Sequence, residues 1–177
     1  MIFRFSPVIF AGAMAAILAG CSSDKGDNCP TMTAITDAAS QTVFRPGTAP
    51  DPSNVLYSVD IVDVKGKCDI DKKKRSCDAS LEIRFHASRA PNGSEAHHTV
   101  GYVVAVTEGE RILTEQHYSI DFAFAPGQST TTFSDLVNST HIQPEKDKYP
   151  FDYQILVGLQ LTKEQIEFNR MQGHYGS

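Results

Sequence analysis

The chain has 177 residues, a formal net charge of −5 and no tryptophan. That length fits a single domain. The mildly acidic balance, with no basic stripe, excludes a nucleic-acid-binding surface.

The opening "MIFRFSP" carries one positive charge, Arg4, and no acid. "VIFAGAMAAIL" follows, eleven uncharged residues from Val8 to Leu18. A bilayer-spanning helix needs ~20 apolar residues, so this run is too short to span. The order of positive, apolar and small residues is that of an export signal. Gly12 and the alanines would make a poor core helix. The run ends in Leu18-Ala19-Gly20-Cys21, which resembles the lipobox of bacterial lipoproteins. The resemblance implies cleavage before Cys21, a diacylglycerol on its thiol and acylation of the new amino group. It divides the chain into a signal peptide at 1–20, a lipidated tether at 21–28 and one domain at 29–177. Ser22, where an aspartate would mark inner-membrane retention, resembles the lipoproteins sorted to the outer membrane. One acyl chain binds a bilayer only marginally, whereas two or three hold a protein there stably.

Removing twenty residues leaves 157, with a net charge of about −6. "SSDKGDN", Ser22 to Asn28, is small and polar and reads as a tether. Fully extended it reaches roughly 25 Å. Cys29, Cys68 and Cys77 remain after Cys21 is assigned to lipid. An exported protein meets an oxidising compartment, so one disulfide is expected and one thiol is left over. Cys68 and Cys77 bracket the charged "DIDKKKRS" and can meet across a hairpin, where a short loop closes easily. Pairing Cys29 with Cys68 would instead pin the N-terminal arm to the domain. The residues alone leave both open. No CxxC or HxxxH spacing points to zinc.

Further along, "PTMTAITDAASQTVF" has no clear period, apart from a short edge strand at Thr42 to Phe44. "RPGTAPDPSN", Arg45 to Asn54, holds three prolines and a glycine and is predicted as loop. "VLYSVDIVDV" opens a β-branched-rich strand. "ASLEIRFHA" alternates Leu81, Ile83 and Phe85 with Glu82, Arg84 and His86, placing the first set on one face. "APNGSE" predicts a turn. "TVGYVVAV" is apolar on both parities, as a central strand would be. "ILTEQHYSIDFAF" puts Tyr118, Ile120, Phe122 and Phe124 on one parity, and "STTTFSDL" reads as a polar edge strand. "FDYQILVGLQL" sets Phe151, Tyr153, Ile155, Val157, Leu159 and Leu161 on one face. Thr162 with Gln165 has capping-box spacing and starts a short terminal helix, from which Ile166 can return to the sheet.

Strands punctuated by turns, without alternating helices, predict an all-β fold. The expected architecture is an immunoglobulin- or fibronectin-like antiparallel sandwich of about seven strands with a short C-terminal helix; a small barrel is the alternative. Tyr153, near the start of the last strand, resembles the tyrosine corner of such sandwiches.

A wider resemblance rests on the lipobox, Cys29-Pro30, "FRPG" at Phe44 to Gly47, the β-rich middle and "YQILVGLQLTKEQIEFNR" at Tyr153 to Arg170. Together these resemble small bacterial envelope lipoproteins of unassigned activity. The resemblance implies a Cys29–Cys68 disulfide with Cys77 as the spare thiol.

Chemistry-bearing patterns are sparse. His97 and His98 are the first metal candidates, but neighbours on a strand point to opposite faces and cannot chelate together. No GxSxG elbow or glycine-rich phosphate loop is present. Asp69-Ile70-Asp71 lacks the glycine and closing acid of an EF-hand loop. Lys72 to Arg75, "KKKR", reads as a solvated turn that discourages edge pairing; lipid phosphates are its functional alternative. The expectation is a non-catalytic envelope lipoprotein with no cofactor, lipid-anchored at the outer membrane and facing the periplasm. Its role would be that of an accessory or adaptor protein touching another envelope protein by a sheet edge or face. The alternative is a periplasmic small-ligand or metal-binding module, with His86, His97, His98 and His117 converging on an apolar pocket.

Overall fold

The structure is a computed structural model that describes residues 29–91 and 93–172. The expected signal peptide, Cys21, the tether, Asn92 of the predicted turn and His174 lie outside the described residues. In chain order the strands are β1 (Thr31–Ala34), β2 (Ser40–Phe44), β3 (Val55–Asp71), β4 (Ser76–Arg89), β5 (Ala96–Glu108), β6 (Arg111–Phe124), β7 (Thr130–Ile142) and β8 (Gln154–Leu159), followed by helix α1 (Lys163–Met171).

Alternation decides the layers. On β4, Leu81, Ile83, Phe85 and Ala87 are buried while Glu82 is exposed and Arg84 and His86 only half-covered. On β8, Ile155, Val157 and Leu159 are buried in the same way. The two apolar faces close on each other as two four-stranded sheets, ordered β1-β8-β5-β6 and β2-β3-β4-β7. The all-β sandwich is therefore the fold, and the barrel alternative falls away because the sheets are separate. β4 pairs with β7 in one sheet and β5 with β8 in the other, so the β4–β5 and β7–β8 connections both cross between layers. Tyr153 is buried at the foot of β8, and its hydroxyl oxygen accepts the Glu145 N–H at 3.0 Å. That bond, from the loop just upstream, is the contact a tyrosine corner makes.

Several details differ from expectation. Among the described residues there are eight strands rather than about seven, because Thr31–Ala34 forms an additional one. It runs parallel to β8, so the sheets are not wholly antiparallel. β3 continues through the polar "KGKCDID" because β4 pairs with it down to Asp71 opposite Ser76. Phe151 is not on the β8 face: it sits in a 3-10 turn at Pro150–Asp152 and is 47% exposed. On central β5, Val100, Tyr102, Val104 and Val106 face the core, and Ala105 and Thr107 are buried on the opposite parity.

Between the sheets runs a series of aromatic rings. Phe85 stacks on Phe133 at 5.2 Å and lies against Tyr102 at 5.4 Å. Phe133 stacks on Phe122 at 4.6 Å, and Tyr102 on Tyr118 at 5.3 Å. Stacked and tilted ring pairs of this kind add to the area they bury. The Tyr102 hydroxyl donates to Asp135 at 2.8 Å, satisfying the phenol inside the core and tying β5 to β7 across the layers. Where β1 passes over β3, a Cβ on Gly66 would overlap the Met32 sulfur and would require the Met32 side chain to move.

The capping box forms as its spacing predicts. Thr162 accepts from the Gln165 N–H, and the Gln165 side chain accepts from the Thr162 N–H. Phe168 and Asn169, rather than Ile166, are the buried residues of α1, and Phe168 meets Phe44 edge-on at 4.9 Å. The amides of Gln165 and Asn169 donate to the Thr42 and Ser40 carbonyls, both at 2.9 Å. The helix thereby covers the free edge of β2.

Candidate functional site

The histidines do not form one site. His97 is exposed and lies 3.2 Å from Glu95, while His98 packs on the Tyr57 ring at 4.2 Å. His86 sits on the other sheet, on β4, and His117 bonds Gln160 on the outer side of β6. Among the described residues, no group of three His, Cys, Asp or Glu side chains is placed to hold a metal. The partners of the histidine rings are carboxylates, an amide and aromatic faces: His141 bonds Asp78 at 2.8 Å, on the surface. A recess of about 430 Å³ is an open trough on the outer face of the β3–β4–β7 sheet, with Lys65, Lys67, Glu82 and Leu136 along it. Among the described residues, no helix is long and apolar enough to cross a membrane.

Burial lowers the pKa of His98 from its ordinary value of 6.5, and the positive charges of Arg89 and His97 lower it further. The folded protein therefore binds this proton less readily than the unfolded chain does. The corresponding stability is fully present above about pH 6.5 and is lost as the pH falls through the lower folded value. Urea midpoints measured from about pH 7.5 down to about pH 5 should fall, and His98→Gln should flatten that decline.

A disulfide joins Cys29 to Cys68, with Cα atoms 5.9 Å apart. Cys77 lies opposite Ile70 and is a buried free thiol. Burial, with smaller contributions from Asp78 and Asp69, pushes its pKa up to about 11. A thiol so placed packs as a small hydrophobe and is a poor nucleophile.

The remaining functional surface is a question of edges, since an unpaired strand offers its backbone to other chains. β2 is covered by α1. β7, the edge strand foreseen from its polar residues, bears a bulge against β4 and turns Asp135 toward the core. β6 ends its sheet, pairs only with β5 and carries a bulge of its own at Leu113, between the Val106–Thr114 and Thr107–Ile112 pairs. Every side chain from Arg111 to His117 is exposed, including Ile112 at 59% and Leu113 at 37%. The period-two reading of β6 located its buried half, Phe122 and Phe124, but gave no sign that the other half projects free.

At the end of the sandwich where β6 begins, the β3–β4 hairpin tip meets the β7–β8 loop. Arg75 takes a left-handed backbone conformation, φ 57°, and its guanidinium lies 4.5 Å from the Tyr149 ring centroid. It also donates to the Lys148 carbonyl at 2.5 Å. Tyr149 stacks on Phe151 at 5.2 Å, and both rings are about half exposed. Arg75 thus belongs to the fold, while Lys72, Lys73 and Lys74 project from the turn. Comparison with protein-family models, curated proteins and solved structures finds no match to this chain.

Proposed function

We propose that this protein is a lipid-anchored envelope lipoprotein whose β-sandwich serves as a non-catalytic adaptor at the outer membrane. The observation that carries the adaptor role is the open β6 edge, which among the described residues has neither a helix over it nor a core-facing charge. An extended segment of another envelope protein can add to such an edge through main-chain hydrogen bonds, with side-chain contacts giving selectivity. Ile112 and Leu113 supply apolar contacts at its start. The anchor rests on Leu18-Ala19-Gly20-Cys21 after the apolar run, and the Cys29–Cys68 bond then fixes the tether to the sandwich.

Two measurements test the reading. Intact-mass analysis of the membrane-extracted protein should show loss of residues 1–20 and the added mass of two or three acyl chains, and Cys21→Ser should lose that added mass. An uncut, unacylated N-terminus removes the anchor. A photo-crosslinker at Thr114 in intact cells should give an adduct of one defined mass, while one at Gln128, in the β6–β7 turn, should not. Equal patterns at both positions remove the β6 interface.

A further inference from the structure

Three lysines at a hairpin tip are, by themselves, a solvated turn. The neighbours of this tip change that reading. Cys68, just before the turn, is bonded to Cys29, and β1 begins beside the start of β8 with Thr31 opposite Gln154. The chain therefore enters the fold at the same end as the tip. The β7–β8 loop brings Tyr149 and Phe151 there as a stacked, half-exposed pair. A groove of about 240 Å³ joins the two features, lined by Ile70, Lys72, Arg75, Tyr149, Pro150 and Phe151. Of the acids at the tip, Asp71 accepts the Lys73 and Lys74 N–H groups at 2.9 and 3.1 Å and lies 4.0 Å from the Lys74 ammonium, while Asp69, two residues earlier, is exposed. Glu108 and Glu145, on the neighbouring loops, are paired with Lys148 and Arg111. Among the described residues, Lys72 and Lys73 make no ion pair.

We propose that this end of the sandwich docks on an anionic phospholipid surface, with Tyr149 and Phe151 at headgroup level and Lys72, Lys73 and Lys74 on lipid phosphates. The proposal rests on the lipoprotein reading and names the surface the anchored domain faces. Aromatic rings with one wet edge favour the membrane–water interface. Lysines near an anionic leaflet are held by its surface potential, and their stems lie along apolar surface while the ammonium groups stay in water. The seven residues from Ser22 to Asn28 reach roughly 25 Å at most. A tether that short holds the patch at a high effective concentration against the bilayer, so weak contacts suffice. The open β6 edge then starts at the surface and runs away from it.

The absence of tryptophan from the chain supplies the probe. The full chain carrying Phe151→Trp, processed in cells and reconstituted into phosphatidylethanolamine–phosphatidylglycerol vesicles, should float with them. Its single indole should show blue-shifted emission quenched by brominated acyl chains. The same protein with Gln128→Trp in place of Phe151→Trp, at the opposite end of the sandwich, should float and stay unquenched. Adding Lys72→Gln, Lys73→Gln and Lys74→Gln to the Phe151→Trp chain changes only exposed positions and should weaken docking about fivefold per lysine; unchanged quenching overturns the assignment of the lysines to lipid phosphates. Flotation without quenching overturns the docking and leaves the anchor standing. Equal quenching at both positions overturns the orientation. A blue shift without bromolipid quenching means that protein, a second copy or another segment, covers the patch, and overturns the proposal. Failure to float removes the anchor, and the docking of the anchored domain with it.

Discussion

Phe85→Ala should destabilise the domain by about 3–5 kcal/mol, read as a lower urea midpoint at an unchanged slope. Phe85 has no exposed surface and is in ring contact with Phe133 of β7 and Tyr102 of β5. Truncation therefore opens a cavity bordered by both sheets, which cannot close without moving one layer relative to the other. The Tyr102–Asp135 hydrogen bond resists that movement, since it fixes the distance between the same two strands. Domains of this size have total stabilities of roughly 5–15 kcal/mol, so the variant loses a large fraction of its stability. Phe85→Leu keeps most of the volume and should lose clearly less. Equal losses for the two would mean that the aromatic contacts, rather than the filled volume, carry the energy.

The second large effect is expected from the paired replacement Cys29→Ser with Cys68→Ser. The bond spans a sequence separation of 39, and chain-entropy reasoning gives ~4 kcal/mol for closing a loop of that size. A fall in Tm on the order of 10 °C follows for a domain of this length. The loss should be uneven. β1 has four residues and pairs with β8 alone, so the Thr31–Ala34 amides should lose exchange protection before the rest of the sheet. Uniform loss of protection would show that the bond stabilises the whole sandwich rather than its arm. The pair must be replaced together. Cys68 lies opposite Ala79 and Cys77 opposite Ile70, so a freed Cys68 thiol has Cys77 as a diagonal neighbour. Diagonal pairs are ~7–8 Å apart, beyond easy disulfide reach, and a bond between them would distort the hairpin.

The parts of the fold that were legible in sequence are those where one face is dry and the other wet. Leu81, Ile83 and Phe85 on β4 and Ile155, Val157 and Leu159 on β8 alternate because they line the interior. Thr162 and Gln165 predict their own helix start because a capping box is entirely local. What stayed hidden depends on partners distant in the chain. Thr31–Ala34 is a strand only because β8 accepts it, and four residues with mixed burial carry too short a period to reveal that. The residues of "KGKCDID" extend β3 because β4 runs beside them, not because of their own preferences. Phe151 matched the parity of β8, but the turn at Pro150 placed it outside.

The candidate surfaces follow the same division. The cysteines alone left their pairing open, and the structure settles it through a contact between an arm and a hairpin. The stacking of Arg75 on Tyr149 joins residues from two separate loops, which no local motif encodes. Leu18 to Cys21 can be read only in sequence, since they lie outside the described part of the chain.

The parallel pairing of β1 with β8 has a temporal consequence. During synthesis from the N-terminus, Thr31–Ala34 emerges first, yet the strand it needs is the last to appear. The earliest segment of the domain must wait, unpaired, until Gln154–Leu159 has been made. A nascent chain stopped before β8 would lack both the closing strand and a berth for β1, so the first and last strands of the sandwich complete one another in a single late step.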